Sequence, residues 1–303
     1  MREVRIPAFA KINLRLEILG KRADGYRELR TILQTISLHD ELRLRSSRRP
    51  GMALTILGNT ALSQEPVQKN LAYRAVAALR RELKVRSGVE IELRKAIPAG
   101  RGLGGGSSDA AAALIGYLRL TGRKLPAPRL MEIAASLGAD VPFFLFGGCA
   151  LGVSRGDEIY PLPNIVKMNL LIVSPWDIHV ATPDAYRWVK AGKLSSATLT
   201  KGAANRRLFE FCTLCWSGRG SGLSNDFERA VFRRHARLDQ IKRALLRGGA
   251  SEASLAGSGS AVFGVFPSPA MARRAAVGFS NDQTFVCETI SRDRYLRLVK
   301  GAP

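Results

Sequence analysis

The sequence predicts a mixed α+β fold in two domains. Stretches of alternating apolar side chains, typical of strands, and stretches with apolar residues three or four positions apart, typical of helices, follow one another along the 303 residues. Their order is not the regular alternation of strand and helix that builds a doubly wound parallel sheet. Because a domain commonly contains about 150 residues, and because Gly156, Pro161 and Pro163 interrupt the chain, we place the two domains at 1–160 and 161–303.

The first domain is predicted to begin with paired strands. Apolar side chains alternate from Ile12 to Ile18, Asp24-Gly25 is a turn signal, and a second apolar run covers 31–38. The elements that follow are a strand at 52–57, a helix opened by Asn70 at 70–83, a strand at 89–93, a helix at 107–120, a helix at 129–137 and a strand pair within 148–162. The fourth strand therefore leads through a glycine-rich loop directly into a helix.

The second domain is predicted to contain a similar mixture. Its elements are a strand at 169–173, a helix after Thr182-Pro183, one basic helix at 227–247, a strand-like segment at 250–266, and a final helix and strand. A glycine- and serine-rich insertion at 217–226 precedes the basic helix. We find no internal repeat.

Net charge is the most extreme property of the composition. With 47 Lys and Arg against 25 Asp and Glu, the chain carries a formal charge of +22, which favours anionic partners such as nucleic acids and polyphosphates. The arginines are spread along the chain without a low-complexity tail, so a solvated basic surface is the simpler interpretation. Neither a run of roughly 18 apolar residues nor a secretory signal is present. We therefore expect a cytoplasmic protein, a monomer or weak homodimer, with no nucleic acid and no membrane as partner.

The cysteines and histidines predict neither a disulfide scaffold nor a metal centre. Four cysteines are too few for a disulfide framework at this length. Cys212 and Cys215 form a single CxxC without the second pair of a zinc site, and the three histidines are scattered.

The stretch "PAGRGLGGGSSDAAAAL", residues 98–114, carries the clearest chemical signal. A glycine loop before a helix N-terminus presents unpaired backbone amides and the positive end of the helix dipole, which together favour phosphate. Glycine lets the backbone approach phosphate oxygens and adopts positive φ without strain. The Walker pattern is excluded because Ser107, not lysine, follows Gly106, and the strict dinucleotide fingerprint is absent.

This loop resembles the second signature of the GHMP small-molecule kinases, close to P-x-G-x-G-L-G, in which Arg101 is the least expected residue. "PAFAKINLRLEILGKRADGYREL" resembles their N-terminal motif and "SLAGSGSAVFGVF" their C-terminal glycine motif. "GADVPFF" and "NDFE" also match, so the resemblance extends from Pro7 to Phe266. It implies an N-terminal ribosomal protein S5 domain 2-like domain that binds ATP, and a C-terminal ferredoxin-like domain.

The same motifs imply the reaction and its cofactors. They are similar to those of the superfamily members that use ATP, with Mg²⁺, to phosphorylate the 2-hydroxyl of 4-diphosphocytidyl-2-C-methyl-D-erythritol in the non-mevalonate isoprenoid pathway. The implied partner is a small-molecule substrate carrying a cytidine diphosphate. The resemblance assigns ATP binding to Asn70, Pro98, Gly100, Gly102, Leu103, Gly104, Gly105, Gly106, Ser107 and Ser108. Asn70 also suits a simple helix N-cap, and the magnesium ligands stay open, with Ser107 or Ser108 as candidates.

Two residues are implied to act on the acceptor hydroxyl. Asp140, between a helix end and a proline turn, matches the position of the family's base, and Lys11 is a lone lysine in an apolar strand that is implied to pair with it. A fixed cation there favours the developing alkoxide. Asn13 lies one strand period from Lys11 and is expected on the same face, within reach of the substrate.

The remaining candidates concern the cytidine end and closure of the site. Tyr26 and Tyr186 resemble the two rings that stack on cytosine, and Thr182, which precedes Tyr186 in the same motif, is a further candidate for binding the substrate. Arg27 departs from the family pattern, which usually has histidine there, so readout of the base through that side chain is open. The turn formed by Gly257, Ser258 and Gly259 is implied to pack beside the phosphate loop.

Two other functions compete with this interpretation. Another GHMP kinase, acting on homoserine or mevalonate, needs the ATP loop but not the two tyrosines. A nucleic-acid-binding protein explains the charge of +22 and predicts steeply salt-dependent binding, but it gives no reason for the glycine loop together with Lys11 and Asp140.

Overall fold

A computed structural model of the chain describes residues 2–21, 25–189, 211–212 and 222–301. Its strands are β1 (Glu3–Lys21), β2 (Arg27–Ser47), β3 (Met52–Leu57), β4 (Gly88–Arg94), β5 (Cys149–Ser154), β6 (Glu158–Pro161), β7 (Asn169–Ser174), β8 (Ser224–Asn225), β9 (Glu252–Leu255), β10 (Val262–Phe266) and β11 (Gln283–Glu288). Its helices are α1 (Thr60–Ser63), α2 (Leu71–Glu82), α3 (Gly105–Thr121), α4 (Ala127–Leu137), α5 (Phe143–Phe146), α6 (Thr182–Trp188), α7 (Phe227–Arg234), α8 (Ala236–Arg247), α9 (Pro269–Ala276) and α10 (Arg292–Lys300), with short 3₁₀ turns at Val67–Lys69 and Val277–Phe279.

A seven-stranded mixed sheet forms the first half of the molecule. Its order is β3-β4-β2-β1-β8, and β5 pairs with the other part of the long strand β2 and continues to β6. The predicted strand pair at the N-terminus is confirmed, with antiparallel register from Glu3 opposite Arg45 to Lys21 opposite Arg27. The ladder shifts register between Phe9 and Lys11 and again after Asn13, as β-bulges do next to active sites.

A four-stranded antiparallel sheet forms the second half, in the order β11-β7-β10-β9. Counted along the chain these strands are the fourth, first, third and second of the unit. Helices α6 to α8 lie between its first and second strands in the chain, and α9 between its third and fourth. This strand–helix–strand–strand–helix–strand order is that of a ferredoxin-like domain, as the family resemblance implied.

Helix α3 packs on the first sheet and brings the glycine loop to the site. The run Ala110–Ala113 is buried, and the helix contacts β1, β2, α2 and α4. A Cβ at Gly116 would lie 2.6 Å from Leu44 Cδ1. Small side chains therefore let the helix approach the sheet closely, which fixes where its N-terminus ends.

The last helix returns to the first half. Tyr295 of α10 packs against Phe9 with ring centroids 5.8 Å apart, and its hydroxyl donates to the Phe144 carbonyl. Ile290 and Val299 belong to the same apolar cluster as the first sheet. The division of the chain between residues 160 and 161 stays a prediction. Helix α10 comes late in the chain but packs against the first half of the molecule.

Several element bounds differ from those predicted. The basic segment 227–247 is not one helix: His235, with φ −128° and ψ 73°, ends α7 and precedes α8. The break lets both helices bury residues in one cluster, Val231 from the first and Leu238 from the second. Helix α6 already begins at Thr182, and α10 follows the strand that was predicted to end the chain.

Three of the cysteines are described, Cys149, Cys212 and Cys287, and all three are buried. Cys215 and most of the predicted insertion at 217–226 lie outside the described residues. Among the residues that are described, no group of three or more His, Cys, Asp or Glu side chains could hold a metal ion. Within the same ranges, no helix combines the length and apolar character needed to cross a bilayer.

Candidate active site

A cleft of about 1430 Å³ is lined by residues from both halves of the molecule. Of the residues that the sequence singled out, those lining it are Lys11, Asn13, Tyr26, Arg27, Asn70, Pro98, Gly100, Gly102, Leu103, Gly104, Gly105, Gly106, Ser107, Asp140, Thr182, Tyr186, Gly257 and Ser258. Ser108 is buried behind the first turn of α3, and neither it nor Gly259 lines the cleft. The structure therefore brings residues from six separate segments of the sequence to one cavity.

The glycine loop has a backbone that other residues adopt only with strain. Gly100, Gly102 and Gly104 have φ of 67°, 81° and 73°. A Cβ at Gly102 would lie 1.9 Å from the Ala256 carbonyl oxygen, and one at Gly104 would lie 3.0 Å from both Lys11 Cγ and Phe144 Cζ. Positive φ and close packing together require glycine here.

The loop ends in a helix N-terminus whose geometry favours anions. Gly104 is the N-cap of α3, and the first amides of a helix have no intrahelical acceptor. Gly105, Gly106 and Ser107 supply these amides at the wall of the cleft. Because the helix dipole adds a partial positive charge at the same point, this wall favours phosphate.

A buried charge triad, formed by Asp40, Lys95 and Asp109, braces both ends of the loop. Lys95 Nζ donates to Asp109 Oδ2 at 2.6 Å and also to Asp40. Asp40 Oδ1 accepts the backbone N–H groups of Ala96 at 2.5 Å and Ile97 at 2.8 Å. The side chains of the triad are at most 4% exposed. Since Asp109 lies in α3 and Lys95 just before the loop, the triad fixes the distance that the loop spans.

The charges of the triad are not balanced, because two carboxylates share one ammonium. Burial raises the pKa of Asp109 to about 7, and the nearby charge of Lys95 limits the rise. Burial alone would lower the pKa of Lys95, but Asp109 and Asp40 outweigh it and the pKa is raised. No motif in the sequence predicts this triad. Its only signal was a charged residue at each end of the glycine loop.

Lys11 and Asp140 meet at the middle of the cleft. Lys11 Nζ lies 3.5 Å from Asp140 Oδ2, and the lysine side chain is 5% exposed while that of Asp140 is 35% exposed. Lys11 Nζ also donates to Asn13 Oδ1 at 2.8 Å, and Asn13 Nδ2 donates to Thr31 Oγ1 at 2.8 Å. The two predicted neighbours on β1 therefore share a face, and Asn13 holds the lysine in place.

The other end of the cleft carries the two tyrosines. The Tyr186 ring packs edge-on against Phe227 with centroids 4.9 Å apart. Burial raises the pKa of Tyr186 to about 12, the charge of Asp140 adds to the rise and that of Arg27 opposes it. Arg27 Nη2 lies 3.5 Å from the Tyr186 carbonyl oxygen. Arg27 therefore stands beside the second tyrosine.

Tyr26 is the more accessible ring. It is 58% exposed, and Arg155 Cζ lies 4.9 Å from its centroid, a cation–π arrangement. Arg155 lines the cleft from the turn between β5 and β6. No sequence pattern marks Arg155 as a site residue, since an arginine in a turn is common on a basic surface.

The turn after β9 closes the cleft beside the glycine loop. A Cβ at Gly257 would lie 3.0 Å from the Gly102 carbonyl oxygen and 3.3 Å from Lys11 Nζ. Ser258 Oγ lies 3.0 Å from Thr182 Oγ1. Asn225 Nδ2 donates to the Gly257 carbonyl at 2.7 Å. The asparagine of the "NDFE" motif thus holds this turn, a role that its sequence position did not reveal.

Comparisons with known proteins agree with this geometry. The family model for the GHMP kinases N terminal domain matches residues 70–148, and that for the GHMP kinases C terminal matches 211–282. A 4-diphosphocytidyl-2-C-methyl-D-erythritol kinase from Solibacter usitatus is 43% identical over 302 residues, 99% of this chain and 93% of that protein. One from Citrifermentans bemidjiense is 40% identical over 276 residues, 91% of this chain and 94% of that protein.

Solved structures show the same fold. A crystal structure of 4-(cytidine 5'-diphospho)-2C-methyl-D-erythritol kinase matches with a TM-score of 0.78 at 30% identity, covering 94% of this chain and 99% of that one. Homoserine kinase from Cytophaga hutchinsonii matches with a TM-score of 0.71 at 23% identity, covering 96% and 95%, a likeness in fold alone. By its sequence and its fold, this chain belongs to the 4-diphosphocytidyl-2-C-methyl-D-erythritol kinase family of the GHMP kinases.

Proposed function

We propose that this chain transfers the γ-phosphoryl group of ATP to the 2-hydroxyl of 4-diphosphocytidyl-2-C-methyl-D-erythritol, a step of non-mevalonate isoprenoid synthesis. The observation that carries the proposal is the position of the Lys11–Asp140 pair, at 3.5 Å, in one cleft with a phosphate-binding helix terminus and two tyrosines. The relatives at 43% and 40% identity have this substrate in their names.

ATP fits the glycine-loop end of the cleft. The glycines of the loop, with their positive φ angles, leave bare backbone along the wall of the cleft. The first amides of α3 form a site that favours anions. Asn70 Oδ1 accepts the N–H of Ala72 at 2.9 Å as the cap of α2, and Asn70 also lines the cleft. The asparagine therefore serves as the N-cap and lies where the nucleotide base is proposed to bind.

Magnesium is the second proposed cofactor. Together with ATP it neutralises charge on the β- and γ-phosphates. The ion binds proteins through one or two oxygen ligands and keeps several waters, so the lack of a three-residue acidic cluster in the described ranges fits this use. Of the two candidate serines, Ser107 lines the cleft and Ser108 is buried, so Ser107 is the proposed ligand.

Asp140 and Lys11 are the proposed catalytic residues. Asp140, partly exposed to the cleft, takes the proton of the acceptor hydroxyl as that oxygen attacks the γ-phosphorus and ADP leaves. The Lys11 ammonium is held by Asn13 and stabilises the negative charge that develops on the oxygen. Its burial strengthens the effect, since water screens it little.

The tyrosine end is proposed to bind the cytidine diphosphate. Tyr26 and Tyr186 offer ring faces for the base, and stacking contributes about 1–3 kcal/mol per base. Arg27 replaces the histidine of the family pattern and offers guanidinium donors to the base or a phosphate. Thr182 lines the cleft beside Ser258 and is a further proposed substrate-binding residue.

The remaining expectations are also proposals. We propose that residues 1–160 form the ATP-binding domain and 161–303 the second domain. We further propose that the protein acts in the cytoplasm as a monomer or weak homodimer, which analytical ultracentrifugation tests.

The function is tested by measuring ADP release from the purified chain with the cytidine-linked alcohol, homoserine and mevalonate in parallel. We expect turnover with the cytidine-linked substrate and at most background with the other two. Turnover of homoserine or mevalonate alone would contradict the proposal.

A further inference from the structure

The arginine of the glycine loop makes contacts that its motif does not predict. Arg101 Nη1 donates to Ser260 Oγ at 2.8 Å, and Nη2 donates to the Trp176 carbonyl at 3.1 Å. Its own carbonyl accepts the N–H of Ala261 at 3.2 Å. All three partners belong to the second half of the molecule, in the segments that follow β7 and β9. One residue of the ATP loop is therefore bonded three times to the opposite half.

The acceptor of the first bond is itself fixed. Ser260 is fully buried, and its hydroxyl donates to the Ile178 carbonyl at 2.6 Å. The serine proton is therefore engaged, and the oxygen is left to accept from Arg101. A guanidinium can bond two acceptors that lie in different directions, which a lysine ammonium on a flexible stem does less well.

The neighbours of Arg101 in the loop contact the same half. A Cβ at Gly100 would lie 2.5 Å from His179 Cε1, and one at Gly102 would lie 1.9 Å from the Ala256 carbonyl oxygen. The triad Asp40, Lys95 and Asp109 instead ties the two ends of the loop to the first half. The entry segment 100–102 is thus supported from the second half, and no bond of the triad reaches it.

We propose that Arg101 is a positioning residue that fastens the entry segment of the ATP loop to the second half and so keeps the loop amides aimed at the triphosphate. The inference rests on the proposed use of ATP. Arg101 also lines the cleft, so a direct bond from its guanidinium to a phosphate is the competing role. The two roles differ in what happens when Ser260 loses its hydroxyl, because that change leaves the charge of Arg101 in place.

The test compares ligand affinities of the full chain by calorimetry, with a non-hydrolysable ATP analogue and with CDP as separate probes. We expect Arg101→Ala and Ser260→Ala each to weaken the ATP analogue by about five- to tenfold, the size expected for loss of a charged hydrogen bond. The double variant should lose no more than about twofold beyond Arg101→Ala, since Arg101→Ala already breaks the bond to Ser260 that Ser260→Ala removes. The affinity for CDP should change by less than about twofold. A general loss of structure would weaken CDP binding as well.

Two further variants complete the experiment. Arg101→Lys keeps the charge and should recover only part of the lost affinity. Arg273→Ala, an exposed arginine of α9 that does not line the cleft, removes one positive charge and should leave both affinities unchanged. Wild-type affinity in Ser260→Ala, or full recovery in Arg101→Lys, would overturn the positioning role. The affinity for the ATP analogue is measured without a phosphate acceptor. It therefore stays interpretable even when the proposed substrate proves wrong.

Discussion

The two ends of the cleft are built in different ways. At the glycine-loop end, backbone groups form the wall, glycines with positive φ shape it, and buried charges hold it from behind. At the tyrosine end, side chains form the wall, and Tyr26 is 58% exposed. A phosphate is bound by amides that every residue has, whereas a base needs particular rings. The first end can therefore serve the whole superfamily, and we propose that the second sets the substrate.

The largest effect is expected where the two ends meet. Asp140→Asn keeps the size of the side chain but removes the base, so we expect turnover to fall about a hundredfold or more while affinity for an ATP analogue is kept. Steady-state kinetics and calorimetry on the same preparation measure both. Near-normal turnover would remove Asp140 from the role of base and would leave the two ends without a shared catalytic centre.

A smaller effect, on stability, tests whether the loop depends on its backbone shape. In Gly102→Ala the new Cβ meets the Ala256 carbonyl oxygen at 1.9 Å, with φ of +81°. We expect a loss of at least about 2 kcal/mol of unfolding free energy. Thermal or urea unfolding measures it.

Gly106→Ala is the matched control in the same loop. Its Cβ meets only Leu71 Cδ1, at an ordinary 3.7 Å, and alanine favours helix over glycine by about 0.5–1 kcal/mol. We expect unchanged or raised stability. Equal losses of unfolding free energy in the two variants would mean that positive φ and close packing are not what excludes a side chain at Gly102.

The smallest effect concerns the buried triad and has a definite pH dependence. The pKa of Asp109 is about 7 in the folded chain, raised by burial, against about 3.9 for an unfolded aspartate. Between these two pKa values the folded state binds a proton that the unfolded state has lost. The contribution of Asp109 to stability therefore falls as pH rises from about 4 to about 7.

Asp109→Asn removes this titration and leaves Lys95 paired with Asp40. Relative to the variant, the wild type should lose at least about 1.4 kcal/mol of unfolding free energy between pH 4.5 and pH 8, the equivalent of one pKa unit. Urea unfolding across this range measures the difference. Parallel pH profiles of the wild type and the variant would contradict this prediction, because they would show that Asp109 is ionised in the folded chain throughout this range.

Much of the glycine-loop end was predictable from the sequence. Its signal is local, because the glycines, the serines after them and the alanine helix follow one another in the chain. The paired N-terminal strands were also predicted from the residues, whereas the ferredoxin-like domain was implied only by the family resemblance. The alternation of apolar residues on a strand encodes which face is buried, and neighbouring residues suffice to read it.

The contacts that the sequence did not reveal join distant residues. Lys95 and Asp40 lie 55 positions apart, and Arg101 and Ser260 lie 159 apart. Each is an ordinary charged or polar residue until the sheets bring the partners together. The break at His235 was missed because apolar periodicity continues on both sides of it, so the pattern predicts one helix. The roles of the tyrosines came from family resemblance, since a single ring in a sequence indicates packing as readily as binding.

The central claim is that ATP and the cytidine group bind at separate ends of one cleft. Its most direct test is the affinity of Tyr186→Ala for CDP and for a non-hydrolysable ATP analogue, with Tyr186→Phe as the control that keeps the ring. We expect Tyr186→Ala to weaken CDP by about tenfold or more, from a stacking contribution of about 1–3 kcal/mol. The ATP analogue should stay within about twofold, and Tyr186→Phe should bind both ligands like the wild type. Equal loss of both ligands in Tyr186→Ala, or unchanged CDP binding, would contradict the account.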